Sequence, residues 1–308
     1  MVLTLNETLL LSKLSILISL MVIGSISDWT TRYVDDWLWY LAGIFGLIFI
    51  ETDIIIQNLA MVYQLFIPLL IIFYFEPIVD YEKFLKIDEK KYRYIQIILY
   101  TIGGLLVIII VSTAPLNTTT FRFFMIIVMI LFAQLLFYMN LYGGADAKAL
   151  FAIALLFPVY PRIGSFPLIS IPYIDIFETV FPFALLVLLN SALLFIIVPL
   201  IYIIYNASRR NLRFPLCLFG YQLETALVQK KFVWLMEYVD DETGKLRASI
   251  FPLKDEENYA KKLKKLQEKN IQKVWVTPQI PFIIPMTVGI ILSTIIGNPV
   301  FLLFALSS

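Results

Sequence analysis

Long uncharged runs, separated by charged turns, set the pattern of this chain. Five of them, Ile54–Phe75, Tyr94–Phe121, Phe123–Ala145, Thr179–Ser208 and Val274–Ser308, are each long enough for a helix of about 20 residues to cross the hydrocarbon core of a bilayer. Three shorter runs, Leu14–Ser27, Trp37–Ile50 and Ala149–Pro161, are bounded by charges that can sit at the headgroups or in a polar cavity, and they also read as spans. The expected fold is an α-helical polytopic membrane protein with about eight transmembrane helices. One stretch breaks the pattern. Between Ser208 and Lys273 the chain is polar, with strand-like "KFVWLMEYV" and "KLRASIFPL" around the turn-forming "DDETGK", then helical "DEENYAKKLKKLQEKN". Tyr259, Leu263 and Leu266 make one apolar stripe on that helix, which suits packing against its own domain. The expected domains are a membrane domain over 1–207, a small cytoplasmic α+β domain over 208–273 and a final transmembrane helix over 274–308.

Composition supports this reading and narrows the chemistry. The 308 residues are 60% hydrophobic, against roughly 45–50% in soluble domains, and the mean hydropathy is +0.85. There is no histidine, so a Ser-His-Asp triad or a His-ligated zinc is excluded, and hydrolysis would fall to carboxylates, lysine, hydroxyls or water. Cys217 is the single cysteine, which excludes a disulfide framework or thiolate cluster. A net charge of +1 points to no nucleic-acid partner. The opening "MVLTLNETLLLSKLSILISLMVIGS" has no basic leader region, and reads as a retained first span.

The placement of the basic residues is more informative than their total. With the N-terminus outside, eight spans put Arg32, Lys83, Lys86, Lys90, Lys91, Arg93, Lys148 and the 14 Lys and Arg between Ser208 and Val274 on the cytoplasmic side, as the positive-inside rule requires. Two Asn-x-Ser/Thr tripeptides, at Asn6 and Asn117, then fall outside.

Within this frame, carboxylates at the ends of apolar runs stand out, because an acid in a membrane helix is costly and marks function by default. Asp28 closes the first run in "GSISDWTTRYVDDWLWY", Asp35 and Asp36 open the second, and Asp146 sits in "YGGADAKAL". Four spans separate Asp28 from Asp146, an even number, so both return to one face. Two carboxylates brought close share a proton and titrate as a coupled pair. One can then take a proton from water while the other donates to a scissile carbonyl oxygen. Gly143 and Gly144 lack a Cβ and allow a backbone to approach. Lys148 can favour single ionisation of the pair through its charge, or extend to the headgroups. Asp146 can equally cap the helix that follows.

"GGADAK" resembles the GxGD-type motif of the prepilin peptidase family of membrane aspartic proteases, most closely its archaeal preflagellin and type IV prepilin peptidases. "DWTTRYVDDW" resembles that family's first-aspartate segment, with Arg32 as its basic residue, and "FGYQLETALVQKKFVWLMEYV" with "VWVTPQIPFIIPMTVGI" resembles its cytoplasmic domain and proline-opened last helix. The resemblance implies Asp28 and Asp146 as the catalytic pair and Lys148 as the lysine after the second aspartate. It further implies an aspartic endopeptidase, without cofactor or metal, that cleaves short charged leaders from prepilin or preflagellin precursors at the cytoplasmic face. Its partners would be those precursors and membrane lipid. Asp35 and Asp36 are candidates to pair with basic leader residues.

Two features depart from the family pattern. Ala145 replaces the second glycine of the motif, and four helices rather than two lie between the aspartates, the surplus being roughly Ile54–Arg93. An added pair preserves sidedness. An ion-coupled transporter using paired acids is the alternative from another class, and a non-catalytic assembly platform is a third. A presenilin-like protease is disfavoured, since the first aspartate follows no tyrosine and no Pro-Ala-Leu element is present.

Overall fold

In the computed structural model, the described residues are 5–79, 86–139, 141–169, 181–240, 243–250 and 256–298. Lys83 and residues 299–308 of the expected last span lie outside them. Two compact units are found, residues 1–191 with 281–308, and residues 192–280.

The first unit is helical: α1 (Leu5–Thr31), α2 (Asp36–Ile56), a 3-10 turn (Met61–Leu65) running into α3 (Phe66–Phe75), α4 (Glu89–Thr113), α5 (Thr118–Tyr138), α6 (Gly144–Leu156), α7 (Phe183–Phe195) and α11 (Ile283–Ile295). Among the described residues, five helices are long and apolar enough to cross a membrane: α1, α2, α4, α5, and the run Phe183–Ser208 that α7 shares with α8 (Ile197–Ser208). The apolar runs and the helices do not coincide everywhere. The Ile54–Phe75 run divides, with its first residues ending α2. The first run extends through Lys13 and Asp28 into a helix of 27 residues.

Lys13 lies inside that long helix because it has a partner. Its ammonium donates to Asp53 Oδ2 of α2 at 2.6 Å, and its side chain is only 9% exposed. A buried ammonium needs such a counter-ion, since removing one member of a buried pair costs about 3–5 kcal/mol.

Helix α6 is central. Apart from Lys148, every residue from Ala147 to Leu156 is buried, so the helix is apolar all round, as a helix enclosed by others should be. Alanine at 147, 149, 152 and 154 lets neighbours approach, the small-residue logic of membrane helix packing. The facing Gly46 of α2 contributes to this, because a Cβ there would come within 2.6 Å of the Leu155 side chain.

The second unit holds α8, a short α9 (Leu216–Phe219), strands β1 (Tyr221–Glu224), β2 (Val233–Leu235), β3 (Glu237–Val239) and β4 (Leu246–Ala248), helix α10 (Glu256–Glu268) and β5 (Lys273–Pro278). β5 is the centre of an antiparallel sheet ordered β1-β5-β2, and β3 pairs with β4 in a separate hairpin. The stripe on α10 packs where its periodicity directs it: Leu263 and Leu266 are buried in a cluster with Val233, Leu235 and Val276, and the Tyr259 hydroxyl donates to the Val233 carbonyl at 3.1 Å. The segment read as one strand over 231–239 breaks at Met236 and feeds both sheets. Met236 donates its amide to Trp275 and accepts from Ser249. Residues 273–278, where the last apolar run begins, are β5, and the helix starts only at Ile283.

Candidate active site

Asp28 lies in the last turn of α1. The helix closes where the Arg32 amide donates to the Asp28 carbonyl at 3.1 Å, with Arg32 in the left-handed region at φ 58°. That conformation costs a non-glycine residue roughly 1–2 kcal/mol. It turns the chain sharply into "YVDDW" and keeps the Arg32 guanidinium near Asp28, whose charge it feels, and 5.6 Å from the centre of the Trp29 ring.

Asp146 lies in the first turn of α6, at the third helical position. Its Oδ2 accepts the Gly143 amide at 3.1 Å, closing half of a capping box and satisfying an amide that the helix itself leaves unpaired. The capping reading of Asp146 is therefore realised in the geometry. Gly143 permits it: a Cβ at that position would stand 3.1 Å from Asp146 Oδ2, whereas one at Gly144 would meet Phe137 at an ordinary 3.6 Å. The two glycines thus differ in what they do.

Among the described residues, four helices, α2 to α5, lie between the elements that carry the aspartates. Even so, the ends of α1 and α6 meet. Asp28 and Asp146, 118 positions apart in the sequence, are close enough for the charge of Asp28 to act on Asp146, and both are half-buried. The other acids sit at the start of α2. Asp36, in its first turn, accepts from the Lys148 ammonium at 2.5 Å, and Asp35 at the N-cap position is exposed. Lys148 is thereby fixed to α2, and Asp36 already has a cation.

Tyr142, not singled out in the sequence reading, is a neighbour of this site. Its ring packs tilted against that of Phe282, just before α11, with centroids 4.8 Å apart and planes at 52°, and its hydroxyl feels the charge of Asp146. Its place directly before the two glycines was the available signal. On the same side, the Ser25 and Thr287 hydroxyls lie 2.9 Å apart and join α1 to α11. Among the described residues, no three acidic, histidine or cysteine side chains are grouped to hold a metal ion.

Residues 212–298, C-terminal to both aspartates, match the family model described as Archaeal Peptidase A24 C-terminus Type II. The chain is similar to a preflagellin peptidase of Methanococcus maripaludis, 21% identical over 288 residues that cover 90% of this chain and 92% of that protein. It is similar to a preflagellin peptidase of Methanococcus voltae, 28% identical over 214 residues covering 64% and 84%. An uncharacterized protein of Methanocaldococcus jannaschii is 27% identical over 281 residues, covering 88% and 87%. These similarities show the resemblance to the archaeal preflagellin peptidase family that the aspartate segments carry, and they support a protease.

Proposed function

We propose that this chain, similar to a preflagellin peptidase over nine-tenths of its length, is a membrane aspartic endopeptidase that removes short charged leaders from preflagellin or prepilin precursors. The observation that carries the reading is that α1 and α6, remote in sequence, pack together with Asp28 near enough for its charge to act on Asp146. In a chain without histidine, such a pair would supply both the general base and the general acid.

In this mechanism one aspartate is ionised and the other protonated. The ionised carboxylate removes a proton from a water between them, the oxygen attacks the scissile carbonyl carbon, and the protonated partner donates to the carbonyl oxygen. The proton taken from water then passes to the leaving amine as the C–N bond breaks. Arg32 beside Asp28 and the Gly143 amide on Asp146 hold the two acids in place, and the ion pair with Asp36 fixes Lys148 on the side of α6 away from Asp146. Asp35, exposed beside the site, is the acid open to a basic leader residue.

The reading includes about eight spans, in which the shorter helices α3, α6 and α11 join the five long ones. It places membrane portions at 1–207 and from Ile283 onward, a cytoplasmic domain from 208 through the strand β5 that ends at Pro278, and the site at the cytoplasmic face, with the precursor's apolar helix lying in lipid. The positive-inside distribution of basic residues supports that orientation.

The test is leader release by the purified full-length protein in liposomes, with the cut located by mass. A single cleavage between the charged leader and the apolar segment is expected. Intact precursor across a panel of preflagellin and prepilin substrates would contradict the reading.

A further inference from the structure

Glu76, at the C-cap of α3, is 4% exposed, and neutral donors engage both of its oxygens. The Tyr92 hydroxyl and the Gln96 amide each donate to Oε1 at 2.6 Å, and the Tyr100 hydroxyl donates to Oε2 at 2.5 Å. These donors stand at i, i+4 and i+8 of α4, one polar stripe on a helix that is uncharged and mostly apolar beyond Arg93. Gln134 of α5 hydrogen-bonds Tyr100 from the far side. A carboxylate has about four acceptor positions, so one remains, on Oε2. Among the described residues no cation pairs with Glu76, and a buried charge without a counter-ion is costly enough in a membrane protein to call for a function.

The same carboxylate lines a cavity of about 360 Å³. Gln96 and Gln134 form polar wall, Phe137 and Phe151 apolar wall, and the first turns of α6 close the side toward the aspartates through Ala147 and Lys148. The ammonium of Lys148 is held by Asp36 at 2.5 Å. The cavity residues of α6, from 144 through 147 and 148 to 151, share one helix face, and Asp146 lies off it. A group in this cavity would therefore sit across α6 from Asp146, about a helix diameter of 10 Å away, a distance that a few extended residues of substrate span.

We propose that this cavity is a specificity pocket for one cationic side chain of the polypeptide substrate, lysine or arginine, with Glu76 as its counter-ion and the phenylalanine walls along its methylenes. The proposal rests on the peptidase reading above. A bare metal ion suits the site poorly, since it needs several oxygen ligands and the tyrosine hydroxyls here direct their protons at the single carboxylate. Glu76, Pro77 and Tyr92 of the surplus segment line the pocket together with residues of α5 and α6, so it gives that segment a role in substrate choice.

The experiment compares kcat/KM of the full-length enzyme on a synthetic precursor peptide and on a set in which each leader Lys or Arg is replaced in turn by Gln. Wild type should prefer the charged residue at one position by about tenfold or more, the size expected of a charge-assisted contact. In E76Q that preference should collapse to within about twofold while preferences at other positions persist. Q134K, which places a tethered ammonium on the cavity wall, should collapse the same preference and keeps the test decisive should E76Q fail to fold. A preference unchanged in either folded variant, or no preference in wild type at any basic position, overturns the pocket. Failure of wild type to cleave any precursor would instead overturn the peptidase reading on which the pocket rests.

Discussion

The Lys148 ammonium lies 2.5 Å from the Asp36 carboxylate, tying the first turn of α6 to the first turn of α2 across 112 positions of sequence. Because α2 follows directly on the turn that ends α1, this pair links the two helix ends that carry Asp28 and Asp146.

K148M or D36N alone should lower both the thermal unfolding midpoint and the cleavage rate, since each leaves a partly buried charge without its partner. The side chains are 21% and 28% exposed, so the cost should be about 1–3 kcal/mol, below that of a fully buried pair. The double variant should be more stable than the sum of the single losses predicts. Additive losses in unfolding measurements would show that the pair is not coupled.

Substitution of the two glycines should give different outcomes. G143A places a methyl against Asp146 Oδ2 and should reduce kcat/KM by about tenfold or more, because it displaces a group whose position governs the rate. G144A has room beside Phe137 and should stay close to wild type, with a slight gain in helix stability of about 0.5–1 kcal/mol. Equal activities for the two would mean that Asp146 does not need its present geometry.

Breaking the Lys13–Asp53 pair tests the frame rather than the chemistry. D53N leaves a buried ammonium and should cost about 3–5 kcal/mol. The double variant K13M/D53N should recover most of that loss. An unfolding midpoint unaffected by D53N would show that the ammonium finds water or headgroups instead.

These charge pairs mark the limit of what could be read from the sequence. The start of α2, the capping position of Asp146 and the buried stripe of α10 follow from local pattern, in which apolar periodicity and turn chemistry act within a few residues. The partner of Lys13 is 40 positions away and that of Lys148 is 112, and no periodicity connects them. Both lysines looked like boundaries of apolar runs, yet each lies inside a helix. "KVWVTP" was ambiguous for another reason: a short apolar run fits a buried strand as well as the start of a membrane helix. Its place at the centre of a sheet is set by β1 and β2 on either side.

A proton-sharing pair should make kcat/KM bell-shaped in pH, with limits that belong to the pair rather than to either residue. Cleavage should survive chelators. A profile with a single limb, or activity abolished by chelation and restored by one divalent ion, would point to a different mechanism.

The most direct measurement is leader cleavage by D28N and D146N, each shown to be inserted and folded. Asparagine preserves the size of each side chain and can still accept the Gly143 amide at 146, so the cap survives while the proton transfer does not. Each variant should lose cleavage by at least about a thousandfold, within the range expected when a general acid or base is removed, and the double variant should be little worse than either alone. Cleavage near the wild-type rate by either folded variant would contradict the account.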